Sequence, residues 1–184
     1  TTGAGFVDYL IADPVLAPPA DQPFFAERLC LLPDSYMMTD NRQPIAGRDV
    51  TRAGFGLPET GIVFCSFNNG YKIEPGVFGA WMEILRAVPG SVIWLSALSG
   101  TIQRNLHKAA RAAAIEPARL VFAARVDKDL HLKRIGLADL GLDTLIFNGH
   151  STTADTLWGG VPVQTVRGGH FASRVSASLL TAVG

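Results

Sequence analysis

Three polar stretches carry side chains whose types and spacing favour the binding of an anion. Residues 148–153 read Asn-Gly-His-Ser-Thr-Thr and join a predicted buried strand to a predicted helix. The first amides of a helix have no intrahelical acceptors and the helix dipole is positive there, so this junction predicts a phosphate site. The alternative is that Ser151 or Thr152 simply caps the helix and that His150 is an ordinary turn residue.

Two further residues extend this interpretation toward a nucleotide. Asp155 follows Ser151 by one helical turn, where a carboxylate would accept a hydroxyl of a ribose, although it would also complement the helix dipole. Lys72 ends the stretch Asn68 to Lys72, which follows another predicted strand. Its ammonium would supply positive charge to a phosphate, and the alternative is a solvated surface lysine.

The third stretch is basic and aromatic. Lys128, His131 and Arg134 are spaced by three residues, so a helix would present them on one face. Such a face suits a nucleobase and its ribose, whereas a solvated basic helix face is the alternative. Asp127 and Asp129 form an Asp-x-Asp pattern that some transferases use for a divalent metal, but no nearby residue completes a ligand set, so no metal is expected.

The elements that must position these residues alternate regularly from Gly61 onward. Apolar runs predict five strands, over residues 62–67, 91–97, 119–124, 140–147 and 161–166. Helical spacing or capping patterns follow each of them, over residues 75–88, 101–114, 127–138, 151–158 and 172–182. Five βα units in a row predict an α/β fold, a Rossmann-like parallel sheet with helices on both faces.

The first sixty residues follow a different pattern. Residues 6–11 predict one strand, residues 14–23 are rich in proline, and residues 33–58 are rich in loop-forming residues. We therefore expect a boundary near Gly56, with residues 1–56 in one unit and residues 57–184 in the nucleotide-binding domain.

Composition excludes several classes of partner. The 184 residues are 48% apolar and carry 16 basic and 16 acidic side chains, so no general field attracts nucleic acid or an anionic membrane. The longest apolar runs are too short to cross a bilayer. Cys30 and Cys65 are expected to be reduced, buried thiols, which is typical of a cytoplasmic protein.

The loops named above also resemble those of a known family. Residues 64–75 resemble the strand-to-loop motif of the O-linked N-acetylglucosaminyltransferases, and residues 137–139, 142–144, 148–152, 155–158 and 172–175 are similar in order and spacing. The chain thus resembles a bacterial-type homologue of the second catalytic domain. The resemblance implies the GT-B fold, with residues 1–56 as a remnant of the first catalytic domain and linker and a C-terminus that is incomplete.

The resemblance also implies a role for each candidate residue. Lys72 is expected to bind the diphosphate and to stabilise the leaving group in catalysis. The other residues expected to bind the UDP-sugar are Asn69, Val126, Lys128, His131, Arg134, His150, Ser151, Thr152 and Asp155. Two departures from the family's pattern affect the donor. Asn69 stands in place of a glutamine, and Phe147 is bulkier than the residue that usually lies near the sugar's N-acyl group.

By the same resemblance, the chain is expected to belong to an inverting transferase that moves N-acetylglucosamine from UDP-N-acetylglucosamine to serine or threonine hydroxyls of proteins. No cofactor or metal is expected. The expected partners are the donor, the protein acceptor, and the first catalytic domain and helical repeats that this chain lacks. The alternatives are another UDP-sugar, a non-protein acceptor, or a nucleotide-binding module without catalysis.

Overall fold

A computed structural model describes all residues from Thr1 to Gly184. Its larger sheet has five parallel strands in the order β5-β4-β3-β6-β7. The strands are β3 (Val63–Ser66), β4 (Val92–Leu95), β5 (Leu120–Phe122), β6 (Leu140–Leu142) and β7 (Val163–Gln164). The predicted Rossmann-like α/β fold is therefore confirmed.

The central strands are apolar on both faces because helices cover both faces of the sheet. All four residues of β3 and of β4 are buried. One core cluster contains Phe64, Trp81 and Leu85, and a second contains Trp94, Leu132 and Ile135. Residues that alternate along a strand thus serve two separate cores, which is the reason for the continuous apolar runs in the sequence.

Five helices connect or flank the strands: α1 (Pro75–Ala87), α2 (Gly100–Ala112), α3 (Lys128–Ile135), α4 (Ser151–Trp158) and α5 (Val175–Val183). Glu74 caps α1 by accepting the amide of Val77 at 2.7 Å, and Ser99 caps α2. No helix is long and apolar enough to cross a membrane. A short 3-10 turn, Phe171–Ser173, precedes α5 where the sequence predicted the start of that helix.

The N-terminal part holds a second sheet of two parallel strands, β1 (Tyr9–Ala12) and β2 (Arg28–Leu31). The first strand therefore lies at Tyr9–Ala12 instead of the predicted residues 6–11, and the sequence did not predict β2. Apolar and polar residues do not alternate cleanly in these strands, and several apolar side chains are exposed, among them Tyr9 and Ile11. The division into residues 1–56 and 57–184 stays a prediction, although both strands of the small sheet lie in the first unit.

Two other expectations were wrong. The fourth strand of the βα series ends at Leu142 instead of Phe147, because Asp143 and Asn148 turn residues 143–150 into a hydrogen-bonded loop. Cys30 is exposed rather than buried, whereas Cys65 is buried in the core and burial raises its pKa to about 12. Both cysteines are free thiols.

Candidate functional site

The strand order creates a crevice between β3 and β6. From β3 the chain proceeds to β4 and β5 on one side, then returns to β6 and β7 on the other. The connections after β3 and β6 therefore leave the sheet in opposite directions, and ligands of such sheets bind at this point, beyond the carboxyl ends of the strands. The loops here are residues 67–74 and residues 143–150.

Lys72 lies in this crevice with its ammonium largely buried. Nζ donates to the carbonyl oxygen of Asn148 at 2.7 Å and lies 4.0 Å from the centroid of the Phe147 ring. None of the four ion pairs of the chain includes it. Burial lowers the pKa of Lys72, and the nearby Asp143 opposes that effect. A buried ammonium with donors to spare and no carboxylate partner is suited to an anionic ligand.

The loop after β6 is held by its own polar side chains. Asp143 accepts the amide of Gly149 and the hydroxyl of Thr165, both at 2.7 Å. The fully buried Asn148 donates from Nδ2 to the carbonyl oxygen of Thr144 at 2.6 Å. A Cβ atom on Gly149 would lie 2.3 Å from Oγ1 of Thr153, so only glycine permits this approach of the loop to α4.

The N-terminus of α4 faces the same crevice without a side-chain cap. His150 occupies the cap position and makes no capping hydrogen bond. Thr152 donates its hydroxyl to Oδ1 of Asn68 at 2.8 Å, which connects α4 to the loop after β3. Ser151 is exposed. The alternative in which Ser151 or Thr152 caps the helix is therefore wrong, and the first amides of α4 remain without a side-chain acceptor.

The side of the crevice formed by α3 combines basic side chains with aromatic rings. Arg134 donates from Nε to Nδ1 of His131 at 3.2 Å, so Nδ1 must be unprotonated and the ring proton lies on Nε2. Burial, followed by the charge of Arg134, lowers the pKa of His131 to about 4. The His131 ring packs edge-to-face on Phe67, with centroids 4.9 Å apart. His131 therefore offers an uncharged ring at neutral pH.

Arg134 is not part of a solvated face. Only 4% of its surface is exposed, and its guanidinium donates to the carbonyl oxygen of Ala124 at 2.7 Å. The same group lies 5.5 Å from the Trp94 ring and 5.6 Å from the Phe55 ring. The interpretation of the basic triplet as a surface feature is thus wrong for Arg134, because tertiary packing covers it.

One cleft gathers five of the candidate residues. It has a volume of about 480 Å³, and Asn69, Val126, Lys128, His131 and Arg134 all line it. Lys128 forms an ion pair with Asp155 on α4, which connects this cleft to the α4 side of the crevice. The remaining candidates, Lys72, His150, Ser151 and Thr152, lie on that second side. The structure therefore brings all ten candidate residues to one edge of the sheet.

Sequence reasoning missed several residues of this edge. Asn68 follows the predicted strand 62–67 directly, which was a usable signal, whereas Asp143 lay inside the predicted strand 140–147. Tyr36 had no such signal, because it lies far from the crevice in sequence and yet hydrogen-bonds to His150. Residues 167–170, which follow β7, are held by Arg174, which donates to the carbonyl oxygens of Gly168 and Gly169.

Two other features bear on where a ligand could bind. No group of three or more His, Cys, Asp or Glu side chains is arranged to hold a metal ion, and metal-independence stays a prediction. A larger cavity of about 630 Å³ lies between the N-terminal segment and residues 169–174. Its charged residues Asp21 and Arg174 pair with each other at 2.9 Å, which leaves it less able to bind an ion.

Over most of its length the chain is similar to known proteins. The profile of "Glycosyl transferase family 41" matches residues 48–184. The probable UDP-N-acetylglucosamine–peptide N-acetylglucosaminyltransferase SEC of Arabidopsis thaliana is 36% identical over 191 residues, covering 100% of this chain and 19% of the relative. The UDP-N-acetylglucosamine–peptide N-acetylglucosaminyltransferase of Caenorhabditis elegans is 40% identical over 134 residues, covering 73% of this chain and 12% of the relative.

Among solved structures, a mutant of the O-GlcNAc transferase from Thermobaculum terrenum superposes with a TM-score of 0.79 at 29% sequence identity. The match covers 95% of this chain and 33% of that one. The chain thus spans about a third of this structure and a fifth or less of the two relatives above.

Proposed function

Because the chain belongs to glycosyl transferase family 41, we propose that it is the donor-binding part of an inverting transferase that uses UDP-N-acetylglucosamine to glycosylate serine and threonine residues of proteins. The observation that carries this proposal is the buried ammonium of Lys72, which has no carboxylate partner. The names of the relatives, which specify this donor and a peptide acceptor, support it.

The proposed site divides the donor between two regions. The neutral His131 ring and Arg134 receive the uracil, with Val126 and Lys128 along the nucleoside, and Asp155 accepts a hydroxyl of the ribose. The ion pair between Lys128 and Asp155 supports this arrangement, because it holds the carboxylate at the base side of α4. The diphosphate lies against Lys72, Asn69 and the first turn of α4, where His150, Ser151 and Thr152 supply donors.

In the proposed reaction, the acceptor hydroxyl oxygen bonds to the anomeric carbon from the face opposite the diphosphate. The bond from that carbon to the diphosphate oxygen breaks, and its electron pair leaves with UDP. The hydroxyl proton passes to a general base of the full protein. Lys72 and the α4 amides stabilise the charge that grows on the diphosphate, and fixed donors do so without reorganising. No metal is needed for this step.

A second candidate function is a transferase for a different UDP-sugar. Phe147 is half-buried beside Lys72, so its ring restricts the space next to the diphosphate site. The proposal also includes a cytoplasmic location and, on separate parts of the full protein, a first catalytic domain and helical repeats that bind the acceptor.

Calorimetric titration of the chain tests the donor site. We expect UDP and UDP-N-acetylglucosamine to bind in the presence of a chelator, and GDP and ADP to bind at least tenfold more weakly. Lys72→Ala should weaken UDP binding, whereas Lys108→Ala, which removes an exposed lysine of α2, should not. The absence of UDP binding would refute the site, and binding restored only by manganese would refute metal-independence. Tighter binding of another UDP-sugar would favour the second candidate.

A further inference from the structure

Tyr36 makes a long-range contact with the candidate site. It lies between β2 and β3, 114 residues before His150, and its hydroxyl is 3.2 Å from Nδ1 of His150. This is the only hydrogen bond of the Tyr36 hydroxyl. The rings of the two residues meet edge to face, with centroids 6.5 Å apart. A segment outside the large sheet thus contacts the residue at the cap position of α4.

The position of Tyr36 is fixed by several other contacts. Its backbone amide donates to Oδ2 of Asp13 at 3.0 Å, and Asp13 is fully buried and also accepts the hydroxyl of Ser178. The Tyr36 ring packs edge-to-face on Phe171 at 5.3 Å. Burial, followed by the charge of Asp13, raises the pKa of Tyr36. The phenol therefore stays protonated and able to donate at neutral pH.

The second ring nitrogen of His150 has no partner. Nε2 is buried and forms no hydrogen bond within the chain. Burial, followed by the charge of Lys72, lowers the pKa of His150, and Asp143 opposes this. The imidazole is therefore neutral, and only one of its two nitrogens carries a proton. A buried polar atom without a partner carries a free-energy cost that a ligand can remove.

The Tyr36 hydroxyl decides which nitrogen holds the proton. A phenol is a better donor than acceptor, and this one has no other acceptor within the chain. It is satisfied when it donates to Nδ1, and the ring proton must then lie on Nε2.

We propose that Tyr36 is a positioning residue that fixes His150 as the Nε2–H tautomer, so that Nε2 donates to a phosphate bound at the N-terminus of α4. The phosphate part rests on the proposed function, whereas the tautomer is a property of the ligand-free chain. Tyr36, which belongs to the segment before the large sheet, thereby sets which His150 nitrogen can donate a hydrogen bond into the crevice. A phosphate oxygen would satisfy the buried Nε2 and would lie beside Lys72.

Nitrogen NMR of the chain labelled with 15N-histidine reads the tautomer directly. The chain has four histidines, and His150→Gln identifies the signals of His150. We expect Nδ1 to be unprotonated and Nε2 to be protonated in the wild type at pH 7. In Tyr36→Phe, which removes only the hydroxyl, the proton should redistribute between the two nitrogens. Tyr9→Phe removes an exposed hydroxyl of β1 and should leave the signals unchanged.

Calorimetry then connects the tautomer to the ligand. In Tyr36→Phe the ligand must select the Nε2–H tautomer from a mixture, so UDP affinity should decrease by the reciprocal of that tautomer's population, about twofold for equal populations, whereas Tyr9→Phe should leave it unchanged. Wild-type His150 protonated on Nδ1, an unchanged tautomer in Tyr36→Phe, or unchanged UDP affinity would each overturn the proposal. The first outcome needs only the wild-type spectrum, so the proposal stays testable even if Tyr36→Phe does not fold. A wild-type chain that binds no UDP but holds the Nε2–H tautomer would refute the proposed function and not the Tyr36 contact.

Discussion

Arg134 and Lys72 are buried cations at one edge of the sheet, but they have different partners. The Arg134 guanidinium donates to a carbonyl oxygen and to His131, and aromatic rings surround it. The Lys72 ammonium donates to a single carbonyl oxygen and contacts a single ring. Arg134 thus stabilises its own domain as well as lining the cleft, whereas Lys72 retains most of its donors for a ligand. Burial of a cation therefore does not reveal its role until its partners are counted.

The largest expected effect comes from removing the Lys72 charge. In the full-length enzyme, Lys72→Met should lower turnover about a hundredfold or more, because a preorganised donor to developing charge contributes about 3 kcal/mol. The free energy of unfolding should change little, because removal of a buried charge offsets the loss of the donor to the Asn148 carbonyl oxygen. Steady-state kinetics, with UDP-sugar affinity measured separately, checks this. If affinity decreases steeply and turnover at saturating donor stays near wild type, Lys72 is a binding residue only.

Arg134→Ala, in contrast to Lys72→Met, should lower the stability of the folded chain. The substitution leaves the Ala124 carbonyl oxygen and His131 Nδ1 without their donor and opens space beside Trp94, so the free energy of unfolding should decrease by about 2–3 kcal/mol. Urea denaturation measures this decrease. Arg111→Ala, at an exposed position of α2, is the matched control and should cost less than about 0.5 kcal/mol. Equal stability of the two variants would contradict a structural role for Arg134.

Replacing Phe147 should have a smaller effect on turnover than replacing Lys72. The Phe147 ring supports the Lys72 ammonium from 4.0 Å, and a partly desolvated cation–π contact contributes about 1 kcal/mol. Phe147→Leu should therefore lower the turnover of the full-length enzyme about fivefold at saturating donor. Phe24→Leu, which changes an exposed ring of the N-terminal segment, should leave turnover unchanged. A Phe147→Leu variant with wild-type turnover would show that the ring does not support the ammonium.

The smallest effect concerns pH and the neutral ring of His131. The pKa of His131 is lowered to about 4 in the folded state, so between about pH 6.5 and pH 4 the unfolded chain binds more protons. The stability due to neutral His131 is thus present above pH 6.5 and is lost as the pH falls through this window. Melting temperatures at pH 7 and pH 5 should differ less in His131→Gln than in the wild type. An identical difference in both would show that His131 titrates normally.

The helix α4 and the segment just before it, residues 140–147, differ in how well the sequence predicted their structure. The bounds of α4 agree with the prediction over residues 151–158, because the polar start, the apolar spacing and the glycines after Trp158 are all local signals. The strand predicted over residues 140–147 was too long. Its apolar residues Leu145 and Phe147 belong instead to a loop that Asp143 and Asn148 hold in place. A short apolar run does not reveal whether a strand or a buried loop contains it.

Chain order and local pattern thus determined the five βα units, and these units place the loops after the strands at one edge of the sheet. The sequence alone therefore predicted that these loops lie near one another, and the resemblance to the family assigned the ten candidate residues to them. Tertiary structure decided their electrostatic state. It buried Arg134 among aromatic rings, made His131 neutral, left Lys72 without a carboxylate and brought Tyr36 to His150. The reason is that a pKa, a tautomer or an unpaired charge depends on the neighbours that folding brings from distant parts of the chain.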